Sequence, residues 1–498
     1  MPATEQLQSQ ESQATTLEAD SFSSLLQREF KPRSEQASDA LHTAVQTLAE
    51  QALGSVHLIA DDTLSTIEAL IAAIDSKLSS QVNAILHHEA FQKLESAWRG
   101  LHHLVSNTET DEKLKIRFIN ISKAEVAREL KKFKGAAWDQ SPLFKKIYEH
   151  EYGQFGGEPF GALIADYYFD NSPPDVELLA SMAKIAAAAH APLISAADPG
   201  ALLMDSWQEL ANPRDLGKIF QTPEHAAWRN FRSSEDSRYV GLTLPRFLGR
   251  IPYGAKTAPV EDFNFEEVTR GDSANYLWVN SAYAMGLNIN QSFKQFGWCS
   301  QIRGIESGGA ISGLPVHTYP SEDGGVDMTC PTEIAISDRR ELELANNGFM
   351  PLVHCKNSSV AAFIGAQSLH SPQQYDDPDA TANARLAARL PYLFATCRFA
   401  HYLKCIVRDK IGSFKERAEI ENWLNGWINQ YVDLNPATAT ATDADKARKP
   451  LAAAEVVVEE DEGNPGFYRA KFFLRPHYQL EGLTVSLRLV SKLPSVKA

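Results

Sequence analysis

Apolar positions recur with a helical period through the first hundred residues and then change to alternation. Phe22, Leu25, Leu26 and Phe30 fall on one face behind Asp20 or Ser21 as a cap, with Pro32 ending the run, so the spacing predicts a short amphipathic helix over 21–31. An isolated helix shorter than about 12–15 residues is marginal in water, so this one needs a surface to dock on. Residues 1–20 are polar, with little to bury, and predict a mobile arm. From 39 to 110 the helical period persists through Leu41, Val45 and Leu48, then Leu64, Ile67, Leu70, Ile71 and Ile74, then Phe91, Leu94, Trp98, Leu101 and Leu104.

The pattern then alternates. LKIRFINI (114–121) reads as a strand, and Ser122 with Glu125 forms a capping-box start for a helix through Lys134. Further strand-like runs lie at 160–169, 191–198, 237–244, 333–337, 350–355 and 360–369, with helical stretches at 174–190, 223–233, 275–294 and 338–346. This interleaving predicts a central α/β body over 111–380. Two long helical segments follow, at roughly 381–411 and 413–432, within 381–434. Residues 435–450, Ala/Thr-rich and charged, predict a flexible linker. The runs at 452–460, 466–474 and 482–490 predict a C-terminal antiparallel β-meander over 451–498. The fold class expected is mixed α/β (α+β). A small terminal sheet of this kind leaves an unpaired edge, and such an edge recruits strands from other chains. A self-contained hairpin sheet is the competing arrangement.

Composition narrows the function classes. The 498 residues carry 48 basic and 63 acidic side chains, a net charge of −15, which disfavours nucleic-acid or anionic-membrane binding. No apolar stretch approaches the roughly 20 residues that cross a bilayer. The first twenty residues lack a basic start followed by an apolar run, so a cytoplasmic chain is expected. Five cysteines, at 299, 330, 355, 397 and 405, form no Cys-x-x-Cys pair and read as reduced, mostly packed thiols.

Candidate chemistry fails at each place it is sought. His88-Glu89-Ala90-Phe91-Gln92 puts Gln92 where a zinc-protease helix needs its second imidazole. The His87/His88 and His102/His103 pairs stand about four turns, ~20 Å, apart on a helix. Gly304 to Gly309 is followed by Ala310-Ile311 rather than the Lys and hydroxyl of a phosphate loop, so 303–315 reads as a connection. Ser312 lacks a nucleophile elbow. SEDSRY (234–239) and DRRELE (338–343) read as turn and helix starts held by local ion pairs. No catalytic, cofactor or metal residues emerge.

Several long stretches together are similar to one family. They include FQKLESAWRGL (91–101), FGALIADYYF (160–169), SEDSRYVGLTLPRFLGRIPYG (234–254), QIRGIESGGAISGLPVHTYP (301–320), CPTEIAISDRRELELANNGFMPLVH (330–354), 382–433, KARKPLAAAEVVVEE (446–460) and 463–494. The chain resembles the large sheath subunit of the bacterial type VI secretion system, the TssC/VipB family. That resemblance implies a non-enzymatic structural protein that pairs with a small sheath subunit, TssB/VipA. The pair would assemble with further copies into a helical cylinder around a tube of Hcp rings, attach to baseplate components, contract, and be dismantled by the AAA+ unfoldase ClpV.

Two sets of residues then become candidates. Phe22, Leu25, Leu26 and Phe30 would form the helix gripped by the unfoldase, an ordinary packing helix being the alternative. Val456, Val458, Phe472, Leu474, Leu483, Val485, Leu487 and Leu489 would take part in strand exchange between protomers. Two other readings stay open: the sheath of another contractile injection device, and a cytosolic α/β enzyme working through Asp236 or His354.

Overall fold

The computed structural model describes residues 34–55, 63–212, 215–261, 263–269, 272–320, 324–410, 417–433, 442–460, 468–477 and 479. The helix expected over 21–31 and the strand expected at 482–490 lie outside the described residues. The chain divides into two compact units, residues 1–94 with 250–277, and residues 95–249 with 278–498. The first is therefore not continuous in sequence, unlike the linear boundary expected at 110.

In the first unit, helices α1 (Glu35–Ser55) and α2 (Thr63–Leu86) lie side by side, and the returning segment 250–277 is fastened to them. Asn83 donates through Nδ2 to the Glu266 carbonyl at 3.0 Å and accepts from the Val268 N–H at 2.9 Å. Arg250 pairs with Glu267 at 2.5 Å, both buried, and Nε2 of His87 lies 3.5 Å from the same carboxylate. A buried charge of this kind is tolerable only when paired.

Helix α3 spans Glu89–Ser106. In the second unit the capping box is formed as expected: Ser122 and Glu125 exchange side-chain and backbone bonds at the start of α4 (Lys123–Lys132). Strands β1 (Leu163–Phe169), β2 (Leu193–Ala197), β3 (Val240–Leu244), β4 (Ala310–Ile311), β5 (Phe349–His354) and β6 (Ala361–Phe363) form a six-stranded sheet in the order β1-β2-β3-β5-β6-β4. The pairs β1/β2, β2/β3 and β3/β5 are parallel; β5/β6 and β6/β4 are antiparallel.

Both faces of the parallel part are covered, so its strands are apolar on both sides. Leu193, Val240, Leu242 and Phe349 join one cluster with α5 (Pro173–Ala189), while Ile194, Met350 and Leu352 turn to the other face with α6 (Ser281–Phe296). Gly100 of α3 lies against Tyr283 of α6, where an added Cβ would sit 2.4 Å from the ring.

Several expectations are corrected. Residues 114–121 carry no regular secondary structure and join no ladder. Residues 333–337 form no strand either: the Glu333 N–H donates to the Arg246 carbonyl, and Ile336 is buried in the first cluster. Of 360–369, only Ala361–Phe363 is strand. The helix expected from 275 begins at Ser281, capped by Asn280, whose Oδ1 accepts from the Ala282 N–H at 2.8 Å. The segment 381–411 is broken into α7 (Pro378–Ala387) and α8 (Leu390–Lys410), because Pro391 has no N–H to continue the ladder. Within the expected linker, Asp443–Arg448 forms a short helix with its own capping box at Thr442 and with Ala447 buried.

Candidate functional site

The C-terminal hairpin is built on two helices. β7 (Leu451–Glu460) pairs antiparallel with β8 (Tyr468–Pro476), and their inner side chains meet α8 (Leu390–Lys410) and α9 (Arg417–Ile428). Trp298, Phe399, Leu403, Leu424, Ile428, Val456 and Val458 form the cluster, with Phe472 and Leu474 partly buried against it. Trp298 stacks on Phe399 with centroids 4.4 Å apart, and Trp427 meets Tyr431 edge-on at 5.2 Å. Trp423 and Trp427 of α9, one turn apart in sequence, pack against the same cluster beneath the hairpin.

The four strand-exchange candidates that fall within the described residues, Val456, Val458, Phe472 and Leu474, therefore turn toward this chain's own core. What an incoming strand would meet is backbone, and the two edges of the hairpin differ. Asn425 of α9 donates through Nδ2 to the Val456 carbonyl at 2.9 Å and accepts from the Val456 N–H at 3.0 Å. The Val458 N–H donates to a carboxylate oxygen of Glu421 at 3.0 Å. Two side chains one turn apart on one helix thus take up the outward N–H and C=O of Val456 and the N–H of Val458.

The register carries this to the other strand. Val456 opposes Phe472 and Val458 opposes Ala470. Because the Val456 backbone bonds to Asn425, the 456/472 pair is a non-hydrogen-bonded one, so the N–H and C=O of Phe472 face away from β7. By the same alternation Ala470 and Leu474 also present their backbone groups on the outer edge of β8. Among the described residues, no backbone hydrogen bond is made by Ala470, Phe472 or Leu474 on that side.

The other sequence candidates resolve into local structure. Nδ1 of His88 accepts from the Ala90 N–H at 3.3 Å at the start of α3, and Gln92 donates to the Ala274 carbonyl at 3.1 Å. Gly304 donates to the Phe363 carbonyl at 2.7 Å, and a Cβ on Gly309 would lie 2.5 Å from that same oxygen, so the glycines let the loop press on β6. Arg238 pairs with Glu235 at 2.9 Å beside Asp236, and Nε2 of His354 bonds to the Ser358 carbonyl at 3.0 Å; no bond joins His354 to Asp236 among the described residues. All five cysteines are free, and burial pushes the Cys299 and Cys397 thiols up to about 12, away from thiolate chemistry. Among the described residues, no three His, Cys, Asp or Glu side chains converge as a metal site and no helix is long and apolar enough to cross a membrane.

The sealed β7 edge and its paired helix were not legible beforehand. Asn425 and Glu421 stand four residues apart, but nothing in a lone sequence says which backbone they meet.

Residues 68–370 match the EvpB/VC_A0108 tail sheath N-terminal domain, and residues 379–493 match the tail sheath gpW/gp25-like domain of the same family. The chain belongs to this sheath family. It is 71% identical over 486 residues to the type VI secretion system sheath protein TssC1 of Pseudomonas aeruginosa, covering 97% of each chain. Among solved structures it is similar, at 11% identity, to a chain of the anti-feeding prophage baseplate, with TM-score 0.38 over 76% of this chain and 84% of that one. A chain of the contracted PVC sheath complex of an extracellular contractile injection system gives TM-score 0.30 at 11% identity, over 60% and 63%. The gpW/gp25-like match spans the α8, α9 and hairpin assembly, and the N-terminal sheath match spans the six-stranded sheet.

Proposed function

We propose that this type VI sheath subunit pairs with a small sheath subunit of the TssB/VipA kind and polymerises with it in the cytoplasm around an Hcp tube. The lattice stands on the baseplate, contracts to drive the tube outward, and is dismantled by ClpV. The subunit works by repacking, without catalysis, cofactor or metal of its own.

The observation that carries this reading is the one-sided C-terminal hairpin. Its inner strand is pinned to α9 through Asn425 and Glu421, and its outer strand offers the backbone of Ala470, Phe472 and Leu474. A heterologous contact of this kind does not close on itself and propagates into a helical array. Main-chain bonds to a neighbour's strand hold while domains rotate between an extended and a contracted packing. The alternating segment with Leu483, Val485, Leu487 and Leu489 is the donor this edge would accept from a neighbouring copy. The helix with Phe22, Leu25, Leu26 and Phe30 is the element through which the unfoldase would take hold.

Coexpression with the small subunit, followed by negative-stain microscopy, tests the reading. Hollow striated cylinders are expected; a lone monomer beside the small subunit refutes it. Deleting residues 1–32 tests the unfoldase element: sheaths should still assemble and resist disassembly, whereas loss of pairing would assign that helix to the partner contact.

A further inference from the structure

Beyond β8 the chain passes into a clamp. The His477 N–H donates to the Pro450 carbonyl at 3.0 Å, so the backbone runs on past Pro476 on the β7 side. Two residues later Gln479 is held at three atoms. Its N–H donates to the Tyr392 hydroxyl at 3.0 Å, its Nε2 donates to the Ser300 carbonyl at 2.6 Å, and its Oε1 accepts from Nε of Arg303 at 2.9 Å. Tyr392 and Arg303 are both buried. A side-chain amide suits this place because it both donates and accepts; a carboxylate could not donate to Ser300, nor an ammonium accept from Arg303.

The other half of the clamp is fixed independently of Gln479. The Gln301 N–H donates to Oγ of Ser292 on α6 at 3.2 Å, and the Gly304 N–H donates to the Phe363 carbonyl on β6 at 2.7 Å. Ser300 and Arg303 therefore sit on a loop tied to the six-stranded sheet and its covering helix. The same loop reaches the Asp443–Arg448 helix, where Nε2 of Gln301 donates to the Asp443 carbonyl at 3.2 Å. Gln479 thus fastens the chain leaving the hairpin to a rigid part of the body.

The clamp bears on a competition. Residues 477–481 separate β8 from the alternating run at 482–490, and five residues are an ordinary hairpin connection. Among the described residues, Ala470, Phe472 and Leu474 make no backbone bond on the outer edge of β8, so a bare edge lies within the same chain. A short tether presents a strand to such an edge at an effective concentration of order millimolar, which favours return to its own hairpin over a neighbour's. The clamp opposes that return. His477 and Gln479 are committed to Pro450, Ser300, Arg303 and Tyr392, and only Leu480 and Glu481 are left to reverse the chain, from a point past the end of β8.

We propose that Gln479 is a positioning residue that keeps residues 482–490 from pairing with β8 of their own chain and so commits them to the bare edge of a neighbouring copy. Exchange of an identical element between copies competes with self-pairing, and the connecting segment decides between them. This rests on the preceding reading that the segment with Leu483, Val485, Leu487 and Leu489 is donated to a neighbour.

The test joins hydrogen–deuterium exchange on the free full chain to a negative-stain count of the cylinders formed on coexpression with the small sheath subunit. Gln479→Ala empties the clamp, and Tyr392→Phe removes one acceptor from it while keeping the ring. In free Gln479→Ala, exchange at 483–489 and at Ala470, Phe472 and Leu474 should slow at least tenfold as the strand folds back, with the melting temperature not lowered. Cylinders should fall at least tenfold while capture of the small subunit holds, and Tyr392→Phe should move each readout in the same direction. Exchange that does not slow, cylinders as numerous as with the unaltered chain, or lost cylinders accompanied by a lowered melting temperature would each overturn the assignment. The last would make Gln479 a brace of the hairpin only. If 483–489 is already protected in the free unaltered chain, the strand is self-paired and the donation reading itself falls; if the unaltered pair forms no cylinders, the sheath reading falls with it.

Discussion

Replacing Asn425 with alanine removes both bonds that this side chain makes to Val456, leaving an N–H and a C=O without partners where the residue is 1% exposed. A net hydrogen bond contributes about 0.5–1.5 kcal/mol, and orphaning a buried polar group costs about 1–3 kcal/mol, so the pair should cost about 2–4 kcal/mol, less whatever water can restore. At 1.4 kcal/mol per factor of ten, the Val456 amide should exchange about 30- to 1,000-fold faster. Hydrogen–deuterium exchange at single-residue resolution reads this directly, and Val457 is the internal control. It opposes Lys471 in a hydrogen-bonded pair, so its amide points at β8 and keeps its partner. Unchanged exchange at Val456, or equal acceleration at Val456 and Val457, would refute the sealed edge, the second result because it signals loss of the whole hairpin.

Three further outcomes are expected. His401, whose Nε2–H donates to the Ala189 carbonyl at 2.8 Å, has its pKa lowered by burial from 6.5 to about 4, so the folded state favours the neutral ring. Its contribution is complete above pH 6.5, declines as pH falls toward 4, and amounts to about 3 kcal/mol; His401→Gln should flatten the stability profile across that window in denaturant titrations. Gly309→Ala puts a Cβ 2.5 Å from the Phe363 carbonyl oxygen and should cost at least about 1–3 kcal/mol, seen as a lowered melting temperature. Ser122→Ala breaks the capping box of α4 and should cost about 1 kcal/mol by the same measurement.

Local features were legible in sequence because they depend on neighbours along the chain. The Ser122/Glu125 box, the helices at 174–190 and 338–346, the strand at 452–460 and, from Tyr468 on, the strand at 466–474 took the secondary structure read from spacing. The order β1-β2-β3-β5-β6-β4 was not, since strand neighbours are chosen by tertiary packing, at β3/β5 between residues more than a hundred positions apart. The return of 250–277 to the N-terminal helices was hidden for the same reason: Arg250 and Glu267 look like ordinary surface charges until burial pairs them. At 333–337 the alternation of EIAIS reflects Ile334 and Ile336 packing on the first cluster, without a strand beside them to complete a ladder. At 114–121 the alternation likewise reflects packing without a ladder, with Ile116 against the second cluster and Ile121 against the first. No pattern could show that Val456 and Val458 would be covered by α9, because a buried valine reads alike whether its backbone bonds to a strand or to an asparagine.

Asn425 and Glu421 also act as a stop. A hairpin with both margins bare can stack indefinitely, each new ribbon offering the next one a template, which is the route to cross-β aggregates. Here one margin is closed from within by a helix of the same chain, so at most one foreign ribbon can be admitted per subunit. Runaway fibre growth is thereby denied to a protein whose own abundance, in an array of many identical copies, would otherwise invite it.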